Sequence, residues 1–314
     1  MENDIKVSVY CLAYNHEKYI RNTLDGFVNQ QTDFPYEVIV HDDASTDGTA
    51  AIIAEYAEKY PDIIKPVYQS ENQFSKGKGI VRPFVLPYMK GTYIASCEGD
   101  DYWTAPDKLQ KQADFLDSHP NCFMVTHNTE RITADNEHID YMVRKEGDGY
   151  LSPAELINKN KKNPHFSSLM YRRAFWDEGQ PDFFELITGD NRLRYYAAAK
   201  GDIYYIDEVM SAYRVSTPGS WTSRQRKNRS ARVKTEKNML LFLEQYDTYT
   251  NGKYHDAVVR EKDKREFALK LAERDYKAAY ELSKVRNISI KLRIGLLLLS
   301  KFPFLQKLKE SIKE

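Results

Sequence analysis

Residues 36–60 read YEVIVHDDASTDGTAAIIAEYAEKY. Tyr36–Asp42 is an apolar, β-branched run of strand length. Asp42 and Asp43 close it, Ser45 and Asp47 offer helix-capping side chains, and an alanine-rich helical stretch runs to Pro61. The flanking residues repeat this alternation. IKVSVYCLA (5–13) predicts a strand, and residues 16–30 predict a helix with Ile20, Leu24 and Phe27 on one face. Beyond Pro61 come a short strand (IIKPVYQS), a broken helix at 80–91, the strand TYIASC, a helix at 107–119 and the strand CFMVTHN. Strands separated by helices predict an α/β chain with a Rossmann-like, doubly wound, mostly parallel sheet. Such sheets bind ligands beyond the carboxyl ends of their strands.

Acids gather at two of those ends. In GTYIASCEGDDYW (91–103) the strand runs into Glu98, Gly99, Asp100 and Asp101. With Asp42 and Asp43, a parallel sheet brings five carboxylates to one rim, which is costly unless a positive partner joins them. Hard oxygen ligands suit Mg²⁺ or Mn²⁺, and Mg²⁺ leaves positions to water and substrate phosphates. A metal–diphosphate is therefore the expected occupant. The plainer role for Ser45 and Asp47 is to cap the following helix.

Composition bounds the rest. Of 314 residues 41% are apolar, and the formal net charge is zero. The charge is nevertheless divided, with Trp221–Glu314 holding 23 Lys+Arg against 12 Asp+Glu, and the preceding residues 23 against 34. An acidic site region and a basic tail follow. Cys11, Cys97 and Cys122 have no CxxC spacing and read as buried thiols. The seven histidines show no metal spacing, and His41 reads as a packed strand residue. No stretch approaches the roughly 20 apolar residues of a membrane span. The first residues enter a strand without a basic leader, so a cytoplasmic protein is expected. The basic segment at 224–234 lacks interleaved aromatics, which argues against a nucleic-acid partner.

Three stretches in order, VSVYCLAYNHEKYIRNTLDGFVNQ (7–30), YEVIVHDDASTDGT (36–49) and YIASCEGDDYW (93–103), resemble the family 2 nucleotide-sugar-dependent glycosyltransferases of the A-type fold. The resemblance covers residues 5 to 125 well and extends more loosely to about 221. It implies that Asp43 meets the nucleobase edge with Asp42 beside it, and that Ala13, Tyr14 and Asn15 line the base pocket. Glu98-Gly99-Asp100 is similar to the family's Asp-x-Asp. Asp100 is then the metal ligand, Glu98 lies near the ribose or on the metal, and Asp101 lies behind them. Arg82, kept in GKGIVRPF, is placed near the base or diphosphate, and Trp221, Arg214, Ser220 and Arg224 near phosphates or sugar.

Glycosyl transfer also needs a base for the acceptor hydroxyl. Asp190, after Gly189 in ITGDNRLRYYAAAKGD, opens a helix where the family carries its base, with Asp182 and Glu185 as fallbacks. The implied enzyme is inverting and metal-dependent. It moves a sugar from a nucleotide diphosphate, a UDP-sugar by preference, to a saccharide acceptor in surface-polysaccharide assembly. The implied domains are a catalytic 1–221, with the donor bound by 1–125 and the acceptor by 126–221, and a helical, basic 222–314. In that last region residues 288–314 mix Ile, Leu and Phe with Lys291, Arg293, Lys301, Lys307 and Lys309. This segment can lie on an anionic membrane, where the acceptor would be lipid-linked, or pack against the catalytic domain or a second subunit. Two rivals remain: a non-catalytic nucleotide-sugar or glycan binder on this fold, and a sugar-phosphate nucleotidylyltransferase. The latter should carry a glycine- and arginine-rich loop after the first strand, which CLAYNHEKYI does not.

Overall fold

The computed structural model describes residues 4–77, 79–143, 147–158, 164–187, 189–215, 228–286 and 288–302. Its elements run β1 (Val7–Ala13), α1 (Ile20–Val28), β2 (Tyr36–Asp42), α2 (Thr49–Lys59), β3 (Ile64–Tyr68), β4 (Tyr93–Glu98), β5 (Tyr102–Trp103) and α3 (Lys108–Ser118). There follow β6 (Cys122–Ile132), β7 (His138–Tyr141), β8 (Gly149–Tyr150), α4 (Pro153–Ile157), β9 (Met170–Arg172), α5 (Ala174–Asp177), α6 (Asp190–Lys200) and β10 (Asp202–Arg214). Four helices complete the described chain: α7 (Arg229–Tyr249), α8 (His255–Glu273), α9 (Tyr276–Ser283) and α10 (Ile290–Lys301).

The strands form one sheet in the order β3-β2-β1-β4-β9-β6-β10-β5, with β7 paired to β6 and β8 to β10. β3, β2, β1 and β4 are parallel, as are β6 and β10. β9 runs antiparallel between β4 and β6, so the sheet is mixed at its centre. Continuous burial of β1 and β2 on both faces explains their unbroken apolar runs. Ile20, Leu24 and Phe27 of α1 turn inward as their spacing predicts, and Phe27 meets Trp103 edge-on at 4.8 Å. Gly91 precedes β4 because nothing larger fits; a Cβ there would stand 2.3 Å from the backbone nitrogen of Ser8.

Several expectations change in detail. The broken helix at 80–91 is a π-helical turn over Val81–Val85 followed by a 3₁₀ turn at Leu86–Tyr88. Ahead of β9 the residues Phe166–Ser168 form a 3₁₀ turn. Asp47 accepts from the Thr49 backbone N–H at the start of α2, but Ser45 does not cap that helix; its hydroxyl bonds Asp42. All three cysteines are buried and free.

The chain divides into two compact units, Met1–Pro181 with Gly189–Thr217, and Asp182–Thr188 with Pro218–Glu314. In the second, a 3₁₀ turn at Asp182–Leu186 sets Phe184 against Phe242 and Tyr246 of α7. Asp182 and Glu185 belong to that turn. Among the described residues no helix is long and apolar enough to cross a membrane.

The first unit buries a lysine. The Lys108 ammonium lies 3.9 Å from the Trp103 ring centroid, donates to Gln112 Oε1 at 2.7 Å, and is inaccessible to solvent. Burial pushes its pKa down to about 7, with the Cys97 thiol opposing. The unfolded lysine keeps its proton to about pH 10.4. Between those values the unfolded chain binds more protons, so stability rises with pH. Urea melts of the wild type and Lys108→Met should therefore diverge in favour of the wild type by about 1.4 kcal/mol per pH unit between about pH 7 and 10. Parallel stability curves would mean that the Trp103 ring holds the charge in place.

Candidate active site

β1, β2 and β4 finish on the same edge, with Asp42 opposite Ala13 and Glu98 opposite Leu12. Two loops interlock there. Asn15, at φ +56°, donates its backbone N–H to Ser45 Oγ at 2.9 Å, and its side-chain oxygen accepts from the Thr46 N–H at 2.8 Å. The His16 N–H binds Thr49 Oγ1 at 2.8 Å, and Asp43 N–H returns to the Ala13 carbonyl at 2.9 Å. Ala13 is buried, whereas Tyr14 and Asn15 face solvent.

The expected five carboxylates do share this edge, but only three gather. Glu98, Asp100 and Asp101 each offer an oxygen within 4.8 Å of the others. The Asp42 carboxylate is tied to the Ser45 N–H and hydroxyl. Asp43 accepts from the backbone N–H groups of Gln73 at 2.8 Å and Phe74 at 3.0 Å, which anchors the loop after β3. Both are buried.

The acid loop is held from below. Thr23 Oγ1 of α1 donates to the carbonyls of Gly99, at 3.0 Å, and Asp101. Gly99 passes so close to the chain entering α1 that a Cβ would meet His16 Nδ1 at 2.7 Å and the Ile20 side chain at 3.1 Å. Arg214, at the end of β10, is buried and clamps the loop. Its backbone N–H donates to Asp101 Oδ1 at 3.0 Å, and Nη1 donates to the Asp100 carbonyl at 2.8 Å. Its guanidinium also lies 4.6 Å from the centroid of Tyr19 and 5.4 Å from that of Tyr102. Arg214 therefore holds the site's backbone rather than standing free for a phosphate. Trp103 is core: it is buried and its indole N–H donates to the Ser167 carbonyl at 2.8 Å.

Crowding shows in the titration of the acids. The Glu98 side chain opens to solvent, yet surrounding protein, Asp100 and Asp190 push its carboxyl up to about 8. Burial, Asp100 and Glu98 carry Asp101 well above the carboxylate range against the pull of Arg214. Its Oδ2 is buried with no hydrogen-bond partner. Three gathered acids, one with an orphaned buried oxygen, fit a divalent cation.

Two histidines that no sequence pattern flags stand against this loop. His16 has its Nδ1 buried without a hydrogen bond, and burial lowers its pKa against the attraction of Asp100, Asp47 and Asp42. His165 comes from the turn before β9, with Nδ1 3.6 Å from Asp101 Oδ2. Its ring stacks on Tyr213 at 4.0 Å, and burial pushes its pKa down to about 3. Because Nδ1 accepts from the Ser167 N–H at 3.3 Å, the single proton of the neutral ring sits on Nε2.

Asp190 opens α6 directly after Gly189, whose φ of +63° favours glycine. Its carboxylate pairs with Arg194 one turn on, and Arg194 also donates to the Pro164 carbonyl beside His165 at 3.3 Å. Asp190 acts electrostatically on both Glu98 and His165, which places it on the acid-loop side of the first unit. Arg82 is exposed, 5.7 Å from the Trp176 ring centroid. Trp221, Ser220 and Arg224 lie outside the described residues.

The glycosyl transferase family 2 model matches residues 8–179. The chain belongs to that family. Rv1520 of Mycobacterium tuberculosis, an uncharacterized protein, is 37% identical over 227 residues. The match takes 69% of this chain and 61% of that protein, so the chain spans about three fifths of its mycobacterial relatives. The poly(ribitol-phosphate) β-N-acetylglucosaminyltransferase TarS of Staphylococcus aureus is 36% identical over 118 residues, 37% of this chain and 19% of TarS. A structure of TarS residues 1–349 with UDP-GlcNAc superposes with a TM-score of 0.61 and 20% identity, covering 93% of this chain and 80% of that one. The mannosyltransferase PcManGT of Pyrobaculum calidifontis, solved with GDP-Man and Mn²⁺, gives 0.56 at 18% identity, covering 96% and 82%. These two structural likenesses show the A-type fold. In this family 2 chain the fold is thus shared with proteins solved with nucleotide sugars.

Proposed function

We propose that the chain is a metal-dependent, inverting glycosyltransferase that moves a sugar from a nucleotide diphosphate, by preference a UDP-sugar, to a saccharide hydroxyl. The observation that carries this reading is the gathering of Glu98, Asp100 and Asp101 at the carboxyl edge of the sheet in a family 2 chain. Asp100 and Glu98 would hold Mn²⁺ or Mg²⁺, with buried Asp101 behind them. A bound cation there supplies stabilisation for charge on the departing diphosphate. Asp42, Asp43, Ala13, Tyr14 and Asn15 form the nucleoside end. Asp43 can keep its two backbone hydrogen bonds and still accept from a base, since a carboxylate has about four lone-pair sites. Arg82 and Trp221 are assigned to the donor side. Asp190 takes the proton of the acceptor hydroxyl as the new bond forms, and Arg194 orients its carboxylate.

Residues 1–125 would carry the donor, 126–221 the acceptor side, and 222–314 a helical appendage. TarS, a poly(ribitol-phosphate) glycosyltransferase by its name, supports a polymeric acceptor, and we infer surface-polysaccharide assembly on the cytoplasmic side of the envelope as the setting. A thermal-shift panel of nucleotide sugars with and without Mn²⁺ tests the reading, because a ligand bound only by the folded state raises the melting temperature. A UDP-sugar should raise it, and Mn²⁺ should enlarge the rise. A panel without any metal-dependent shift would overturn the assignment.

A further inference from the structure

The C-terminal helix α10 presents an apolar stripe that the described residues leave about half exposed. Leu296 is its one buried residue, while Ile290 is 75% exposed, Ile294 52% and Leu298 43%. At 100° per residue, Ile290, Lys301, Ile294, Leu298 and Lys291 fall within one arc of about 100°. The apolar stripe therefore has an exposed lysine towards each end. Nearby Val285 is 85% exposed and Phe302 43%. From Lys284 to Phe302 the sequence has no Asp or Glu. The first two cations of that stretch are neutralised from elsewhere, Lys284 by Glu281 and Arg286 by Asp263. Lys291 and Lys301 are the charges that accompany the stripe.

We propose that this face of α10 docks on an anionic lipid surface. Charge decides the occupant. A second copy packed on the same stripe would set lysines against lysines in either orientation, because a twofold contact pairs the patch with itself. An anionic bilayer accepts both features at once: Ile290, Ile294 and Leu298 enter the acyl boundary, while the lysine stems lie along it and their ammonium groups meet headgroup phosphates. At twelve residues the helix lies in the interface and does not span it. The proposal rests on this helix alone and holds whether or not the acid loop transfers a sugar.

The test is co-sedimentation of the full chain with vesicles of phosphatidylcholine alone and of phosphatidylcholine mixed equally with phosphatidylglycerol. Binding should appear only with the mixed vesicles and weaken as salt rises. Ile294→Glu with Leu298→Glu, and separately Lys291→Glu with Lys301→Glu, should each lower binding about tenfold or more. Both pairs of positions are exposed, so circular dichroism of the variants should match the wild type. Equal sedimentation with both vesicle types, or lysine reversals that leave binding unchanged, would overturn the proposal. So would a dimer in sedimentation equilibrium that Leu298→Glu dissolves while no vesicle is bound.

Discussion

Asp100→Asn should remove the Mn²⁺-dependent component of the donor's thermal shift and lower kcat/KM about 10³-fold, the order expected when several kcal/mol of leaving-group stabilisation is lost. The amide keeps the shape of the side chain, so the Arg214 bond to the residue 100 carbonyl survives. What disappears is one negative charge among three acids whose oxygens lie within 4.8 Å. A hard divalent cation gains little from a neutral amide in place of a carboxylate. The same change relieves crowding, because Asp100 is among the causes that raise both Glu98 and Asp101. The melting temperature without ligand should hold or rise, which separates loss of the metal site from loss of the fold. An Asp100→Asn protein that retains the full Mn²⁺-dependent shift would remove the cation from this loop.

Legibility follows the range of the interactions. β1, β2 and β4 announce themselves because burial on both faces demands local runs such as VSVYCLA and YEVIVHD. The acids at their ends are legible for the same reason, since parallel register carries them to one edge. What the sequence hides depends on β9, a three-residue strand whose place between β4 and β6 is fixed by distant partners. The turn before it is buried through polar groups: Ser168 Oγ with Thr126 Oγ1 at 2.6 Å, and the Ser96 hydroxyl with the Phe166 carbonyl at 2.9 Å. No hydrophobic period reveals such a segment, so nothing local singles out His165. Arg214 misleads in the opposite way, because an arginine beside a basic loop reads as a phosphate contact although here it is buried under the acids. Asp42 and Asp43 are legible as acids at a strand end but not in their bonding, which their own loops supply.

Asp190→Asn should lower kcat 10²- to 10⁴-fold while leaving the donor's KM and its metal-dependent thermal shift unchanged. The reason is the division of labour between two carboxylate groups. In the proposed mechanism the acid loop handles the departing diphosphate, and an acceptor hydroxyl remains a poor nucleophile until a positioned base removes its proton. Asparagine preserves the size of the side chain and can still accept from Arg194, so α6 and the adjoining Pro164–His165 segment keep their positions. Only the capacity to take a proton is lost. The split between kcat and KM also decides between an enzyme and a mere binder, since a binder would hold UDP with metal and show no turnover for the substitution to reduce. Slow hydrolysis of the donor in the absence of acceptor should persist in Asp190→Asn, because water can attack without that base. Should transfer to the acceptor continue at more than about a tenth of the wild-type rate, below the least effect expected of a lost general base, the proton goes elsewhere. Asp182 and Glu185 would then be the groups to replace, although both belong to the turn that clusters with α7.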